Sequence, residues 1–275
     1  MNVKVINNYS KLKPCLFFLP ISLLIAIILF LQHNDSLHTN KYVQIQKDNF
    51  FFINYNLGQF PDIIYNLTQL GDASIILSVL SIFILYAPKM WESLISASLA
   101  SFIFSVGLKN LFRVPRPAVV FDNNCFIIIG KKAVGYASLP SGHSITVFTT
   151  FTVLLFAFMP EKLPYKILWV LFTIMAGLTI AFTRVGVGAH YPLDVIIGSI
   201  IGYISGLAGI FISRKYKIWA WVNNKKYYPI FILLILASGV SLVSKIFNKN
   251  LIILYLALIC LIVPVYKMAY AFIKR

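Results

Sequence analysis

An all-α, polytopic membrane helix bundle, with a six-helix core and two further C-terminal spans, is the fold class this sequence predicts. Three observations predict it. The 275 residues are 59% hydrophobic and only 12% charged, whereas ordinary soluble domains are about 45–50% apolar and about 25% charged. The mean hydropathy is +0.83. The apolar residues fall into runs of about 20, the length an α-helix needs to cross the hydrocarbon. Lipid offers no partner to open backbone groups, so each run must be helical.

The first run, 15–31, follows the basic residues Lys4, Lys11 and Lys13. A signal peptide opens the same way. This run is long enough to span, however, and 32–40 carries no small-x-small cleavage pattern, so the sequence reads as an uncleaved first span. Further spans are expected near 71–88, 92–112, 141–159, 165–184, 192–212, 228–246 and 251–270. Between the first two, 32–70 is mixed, with Phe50, Phe51 and Phe52 and a turn near Gly58; it reads as an extramembrane segment lying at the interface. The other long connection, 113–139, is rich in turn formers: Pro115, Pro117, Asn123, Asn124 and Gly130. No repeat or soluble second domain is evident. The division expected is a core over 1–212, then a basic cytoplasmic loop and two additional transmembrane helices over 213–275.

The formal charge of +16 invites a nucleic-acid reading, which the distribution argues against. The cations sit at the ends of apolar runs, where lysine and arginine set membrane orientation. With the N-terminus inside, the inner segments hold 14 of the 24 basic residues, among them Arg214, Lys215, Lys217, Lys225 and Lys226 in one loop. The same topology places Lys109, Arg116, Ser141, His143, Arg184, His190 and Asp194 at outward-facing span ends. Cys15, Cys125 and Cys260 are too dispersed for a disulfide framework or a metal cluster.

Three stretches supply those polar residues. Lys109 to Arg116-Pro117 is, taken alone, a basic helix end whose side chains would snorkel to headgroups. In Pro140-Ser141-Gly142-His143, Ser141 suits an N-cap. Gly142 lets an anion approach the free N–H groups of the helix that follows; the plain alternative is a helix cap with a chance histidine. In the third stretch, Thr183-Arg184 leads to His190-Tyr191-Pro192-Leu193-Asp194. Pro192 suits a first helical turn, and a helix starting there brings the Asp194 carboxylate within reach of His190. Such a pair is either structural or an oriented nucleophile, and ionisable residues at membrane depth are functional candidates.

Together these stretches resemble the type-2 phosphatidic acid phosphatase family, which shares its site with vanadium haloperoxidases and bacterial acid phosphatases. The family pattern is Lys, six residues, Arg-Pro; then Pro-Ser-Gly-His; then Ser-Arg, five residues, His, three residues, Asp. Here Lys109–Arg116, Pro140–His143 and Arg184–His190–Asp194 keep every spacing, and Thr183 replaces the serine while retaining a hydroxyl. The resemblance implies a six-helix phosphatase core acting on a phosphomonoester or pyrophosphate of a membrane lipid: undecaprenyl pyrophosphate, lipid A, phosphatidylglycerophosphate or phosphatidic acid. It implies that His190 attacks phosphorus, that Asp194 fixes its tautomer, and that His143 serves as general acid and then base. Lys109, Arg116, Arg184, Ser141 and the Gly142 N–H would hold the phosphate, with no metal and no cofactor. The soluble haloperoxidase relative does not suit a membrane chain. Phosphotransfer to a second lipid would use the same site; a phosphate-binding transporter would explain the cations but not the histidine–aspartate set. A bacterial inner membrane, with the site facing the periplasm, is the expected setting.

Other candidates carry less. His33 and His38 read as solvated loop residues. Asp72 reads as a helix cap or as a steadying charge for the cationic site. Tyr136, Lys131 and Lys132 lie in the outward loop before Pro140 and could touch a headgroup.

Overall fold

The computed structural model describes residues 1–274. Among them the chain is helical, with no strand. Six helices are long and apolar enough to cross a membrane, and the protein is an integral membrane protein. The helices are α1 (Asn2–Ser10), α2 (Phe18–His33), α3 (Thr39–Gln44), α4 (Lys47–Gly58), α5 (Pro61–Gln69), α6 (Ala73–Leu80), α7 (Phe83–Tyr86), α8 (Pro88–Phe112), α9 (Pro117–Val120), α10 (Gly142–Ala157), α11 (Leu163–Gly186), α12 (Pro192–Lys215), α13 (Tyr228–Lys249) and α14 (Ile252–Ile273). The six spanning lengths are α2 with the 3₁₀ turn before it, α8, α11, α12, α13 and α14.

One expectation needs correction. The span expected over 71–88 is not one helix. It is α6 and α7, interrupted at Ser81, and α5 meets α6 at a bend of 69°. The reason is local: Leu70-Gly71-Asp72 ends α5, and the Asp72 carboxylate caps the next helix by accepting from Ser74 N at 2.9 Å. The segment 32–70, expected as an extramembrane segment lying at the interface, is largely helical. It folds into α3, α4 and α5, and Phe50 is fully buried among Phe51, Phe121, Phe126 and Tyr191. The apolar run expected over 141–159 is a helix of only 16 residues, α10.

At the centre of the bundle, α12 packs against α10 and α8. Glycine makes the approach close. A Cβ on Gly202 would stand 2.5 Å from the Ile145 carbonyl oxygen of α10, nearer than real carbon atoms come. The outer helices carry exposed Leu168, Phe172, Leu233, Val240 and Ile262, which a bilayer accepts and water would not. At the other end of the bundle from α10's start, α1 closes its C-terminus. Asn8 Nδ2 donates to the carbonyls of Ala157 and Met159 at 3.0 and 3.1 Å, satisfying acceptors that a helix end leaves open.

Candidate active site

The site forms where α8 and α11 end and α10 and α12 begin, so four helix termini meet at one face of the bundle. α8 stops because Arg113 takes a left-handed conformation (φ 46°) and its N–H returns to the Lys109 carbonyl. The chain then turns so that Arg116 N donates to Gly135 O at 2.9 Å, and its guanidinium reaches back across the site. α11 ends at Gly186, and Gly188 (φ +74°) makes the following turn. A Cβ there would lie 2.7 Å from the Ile127 carbonyl oxygen, so the turn needs glycine twice over. The Arg184 carbonyl accepts from Ala189 N and His190 N at 3.0 and 3.3 Å, which delivers His190 to the interior.

His190 and Asp194 are both buried. Three donors converge on the Asp194 carboxylate: Tyr42 Oη on Oδ1 at 2.8 Å, Ser138 Oγ on Oδ2 at 2.6 Å, and Tyr191 N on Oδ2 at 3.0 Å. His190 Nδ1 stands 3.5 Å from Oδ2 and makes no hydrogen bond. On the other side of the ring, Nε2 lies 3.3 Å from Arg116 Nη1. Burial, reinforced by the cations Arg116, Arg184 and Lys109, pushes the His190 imidazole well below its ordinary range and keeps it neutral. Burial likewise raises the Tyr42 phenol, with the Asp194 charge adding to it, so Tyr42 is a donor to that carboxylate at any working pH.

Arg116 faces Nε2, Arg184 and Lys109 are within electrostatic reach of His190, and the three cations are not all satisfied. Arg116 also donates to the carbonyls of Ala189 and Ala137 at 3.1 and 3.3 Å. Arg184 Nη1 donates to Thr68 Oγ1 at 3.0 Å, while its buried Nε has no partner. Lys109 makes no hydrogen bond; it lies beside Gly142, whose missing Cβ would come within 3.2 Å of the ammonium. A buried donor without a partner costs free energy, a cost that an anion beside Arg184 would remove. Ser141 caps α10, its Oγ accepting from Ser144 N at 3.4 Å, and its own N–H donates to the Asp194 carbonyl at 3.0 Å. His143, the second residue of α10, is within electrostatic reach of Arg184, His190, Lys109 and Asp72.

All eight residues expected from the motifs therefore meet at one place. Thr183 does not join them: its hydroxyl donates to the Ile180 carbonyl within α11. His33 and His38 are exposed, as are Tyr136, Lys131 and Lys132. Asp72 caps α6 and also pairs with Lys245 at 2.7 Å. Among the described residues no group of three or more His, Cys, Asp or Glu is placed to hold a metal, and the three cysteines are free.

Sequence reading missed Tyr42 and Ser138, the two side chains that hold Asp194. It also missed Gln46, whose Oε1 accepts from Leu193 N at 3.0 Å, and Asn54. Asn54 Nδ2 donates to the carbonyls of Ile127, Val185 and Gly186, and Oδ1 accepts from Ile127 N. For Tyr42, Gln46 and Asn54 the signal was faint, polar residues at helical spacing within an aromatic-rich segment; Ser138, in the loop before α10, had none.

The fold and the site define a membrane helix bundle with a buried histidine–aspartate pair ringed by cations. Residues 90–219, which contain all three motifs, match the PAP2 superfamily. The chain is 40% identical over 155 residues to the lipid A 1-phosphatase of Rhizobium etli. That match takes in 52% of this chain and 63% of the relative, so the chain spans less than two thirds of that protein's length. Among solved structures, LpxE of Aquifex aeolicus is similar at 28% identity with a TM-score of 0.49, covering 62% of this chain and 96% of that one.

Proposed function

We propose that the protein is a metal-independent phosphatase of membrane lipids that works through a phosphohistidine. One observation carries the reading: His190 presents Nε2 to Arg116 at 3.3 Å inside a ring of three cations, with Asp194 behind Nδ1. A phosphate held by Lys109, Arg116 and Arg184, and by the N–H groups opening α10, would sit against that nitrogen. Nε2 attacks phosphorus, the phosphorus–oxygen bond to the lipid breaks, and His143 gives the departing oxygen a proton. His143 then takes a proton from water, which attacks the phosphohistidine; the phosphorus–nitrogen bond breaks and inorganic phosphate leaves. Asp194 stabilises the imidazolium character that develops on His190. The 3.5 Å gap to Nδ1 suits a site before substrate binds, since catalytic hydrogen bonds tighten in the complex. The cations provide the charge stabilisation phosphoryl transfer requires.

A lipid substrate is supported by an apolar groove of about 350 Å³ between α2, α8 and α12. It is lined by Ile28 and Phe104 on the exposed side and reaches Tyr42 and Leu139 behind the site. The named relative favours the 1-phosphate of lipid A. Undecaprenyl pyrophosphate, phosphatidylglycerophosphate and phosphatidic acid present the same chemistry. Lys89, Lys162, Arg214 and Lys215 lie at the helix ends away from the site. By the positive-inside rule these ends are cytoplasmic and the site faces the periplasm across the inner membrane.

The test is phosphate release by detergent-solubilised protein, with EDTA, from lipid A and the other three lipids, beside His190→Ala. Release that survives chelation and is lost in the variant supports the reading. A folded wild-type protein that releases nothing, but binds phosphate equally with and without His190, would move it to anion binding or transport.

A further inference from the structure

The C-terminal hairpin α13–α14 contributes none of the motif residues, yet it is bonded to the chain beside them at three points. Lys245 Nζ donates to Asp72 Oδ2 at 2.7 Å and to Ser74 Oγ at 2.8 Å. Lys249 Nζ donates to Gln69 Oε1 at 3.1 Å, and Ile253 N to Asn66 Oδ1 at 3.3 Å. These acceptors flank the 69° bend between α5 and α6. At the bend, Gly71 lies flat on His143: a Cβ there would be 2.8 Å from His143 Cβ and 2.9 Å from Cδ2. His143 has no hydrogen bond to orient its ring. Its orientation comes from packing, and the surface it packs on is a chain reversal of few residues.

Such a reversal has little rigidity of its own. Asp72 uses one carboxylate oxygen for Ser74 and the other for Lys245, so the capping of α6 and the tie to α13 pass through one side chain. We propose that Asp72 and Lys245 are positioning residues for His143, and that the hairpin α13–α14 acts as the clamp that holds the bend against the imidazole. The inference rests on the reading of His143 as general acid and base. Loosening the bend lets the ring tilt away from the leaving oxygen, and a misplacement of about 1 Å in a reacting group costs about 10²-fold in rate.

The experiment separates positioning from general weakening. kcat/KM reports the steps up to phosphorylation of His190, in which His143 protonates the leaving oxygen. Over a series of aryl phosphates, good leaving groups need that proton little and poor ones need it much. Asp72→Asn and Lys245→Met should therefore steepen the dependence of kcat/KM on leaving group in the same sense as His143→Gln. The loss should be about tenfold or more for the poorest leaving group and small for nitrophenyl phosphate. Lys245→Arg should restore the wild-type slope. The double variant Asp72→Asn with Lys245→Met should be no worse than the poorer single, because both act through one tie. Should Lys245→Met fail to fold, Asp72→Asn and Lys245→Arg carry the same comparison. Losses that are uniform across the series overturn the clamp while leaving the phosphatase reading intact. A folded wild-type protein that releases phosphate from no substrate overturns both.

Discussion

The two histidines of the site are held in opposite ways. His190 sits in a turn fixed by the Arg184 carbonyl, faces Arg116 on one side, and has behind it a carboxylate that accepts from Tyr42, Ser138 and the Tyr191 amide. His143 has no hydrogen bond and rests on Gly71. The difference matches what the proposed chemistry asks of each. A nucleophile must present one nitrogen in one tautomer at one point, so its surroundings are over-determined. An acid that becomes a base must serve a lipid oxygen first and a water second, so it gains from being guided by shape alone. Polar bonding fixes the His190 side; packing on Gly71 fixes the His143 ring while leaving its nitrogens uncommitted.

The largest effects should come from the bonded side. Asp194→Asn keeps the shape but removes the charge behind His190 and supplies the wrong donor pattern to Tyr42 and Ser138. Loss of kcat by about 10³–10⁴ is expected from the corresponding change in other oriented-histidine sites, measured as phosphate release from lipid. A change below tenfold would sink Asp194's assigned role. His143→Gln should cost about 10²–10⁴ on a lipid substrate and far less in kcat/KM on nitrophenyl phosphate; equal losses on both would remove the contrast between the two histidines. Tyr42→Phe deletes one hydrogen bond to a buried carboxylate, worth about 1.5–3 kcal/mol. It should lower both thermal stability in detergent and kcat without changing substrate preference.

Protonation offers a second way to sharpen the comparison. His190 is depressed by burial and by three cations, so the folded state resists taking a proton that the unfolded chain accepts near pH 6.5. As pH falls through that value the unfolded state binds more protons, and stability falls with it until the lowered folded value is reached. Above about pH 6.5 the contribution is constant. Ring-¹⁵N spectra of labelled protein should therefore find His190 neutral at pH 6, its signal identified by loss in His190→Gln. An imidazolium signal at that pH would contradict the buried, cation-ringed setting.

The clustering of the motif residues was legible in the sequence because the motifs fall at the ends of apolar runs, and helix ends on one face bring them together. Lys109, Arg116, Ser141, Gly142, His143, Arg184, His190 and Asp194 all meet at one face. The spans α8, α11, α12, α13 and α14 were legible because lipid demands long apolar runs. The supports were not legible. Tyr42 and Ser138 reach Asp194 from 152 and 56 residues away in sequence, and no local pattern marks a donor that acts at such range. The cap at Asp72 was legible at the start of the span expected over 71–88; the interruption at Ser81 was not, because hydropathy averages over it. The tie from Asp72 to Lys245 on α13 was not legible either, because it is a tertiary contact.

Two glycines give the smallest and most local tests, and they should differ. At Gly71 an added Cβ would strike the Cβ and ring of His143 at 2.8–3.1 Å. These atoms sit on a stiff aromatic group next to its backbone and can yield only if the bend or α10 moves. Gly71→Ala should cost about tenfold or more in kcat on lipid, through the same displacement that misplaces a reacting group. At Gly142 the added Cβ is crowded by the Lys109 ammonium alone, at 3.2 Å, with Ser105 Oγ at an ordinary 3.7 Å; the ammonium is the far end of a flexible side chain that need shift by a few tenths of an ångström. Gly142→Ala should therefore raise KM by a few-fold, since Lys109 still reaches the phosphate from a slightly altered direction, and leave kcat within about threefold. If Gly142→Ala were instead the more damaging change, the fixed element would be the lysine and not the histidine. The contrast between a bonded and a packed half of the site would then have to be redrawn around Lys109.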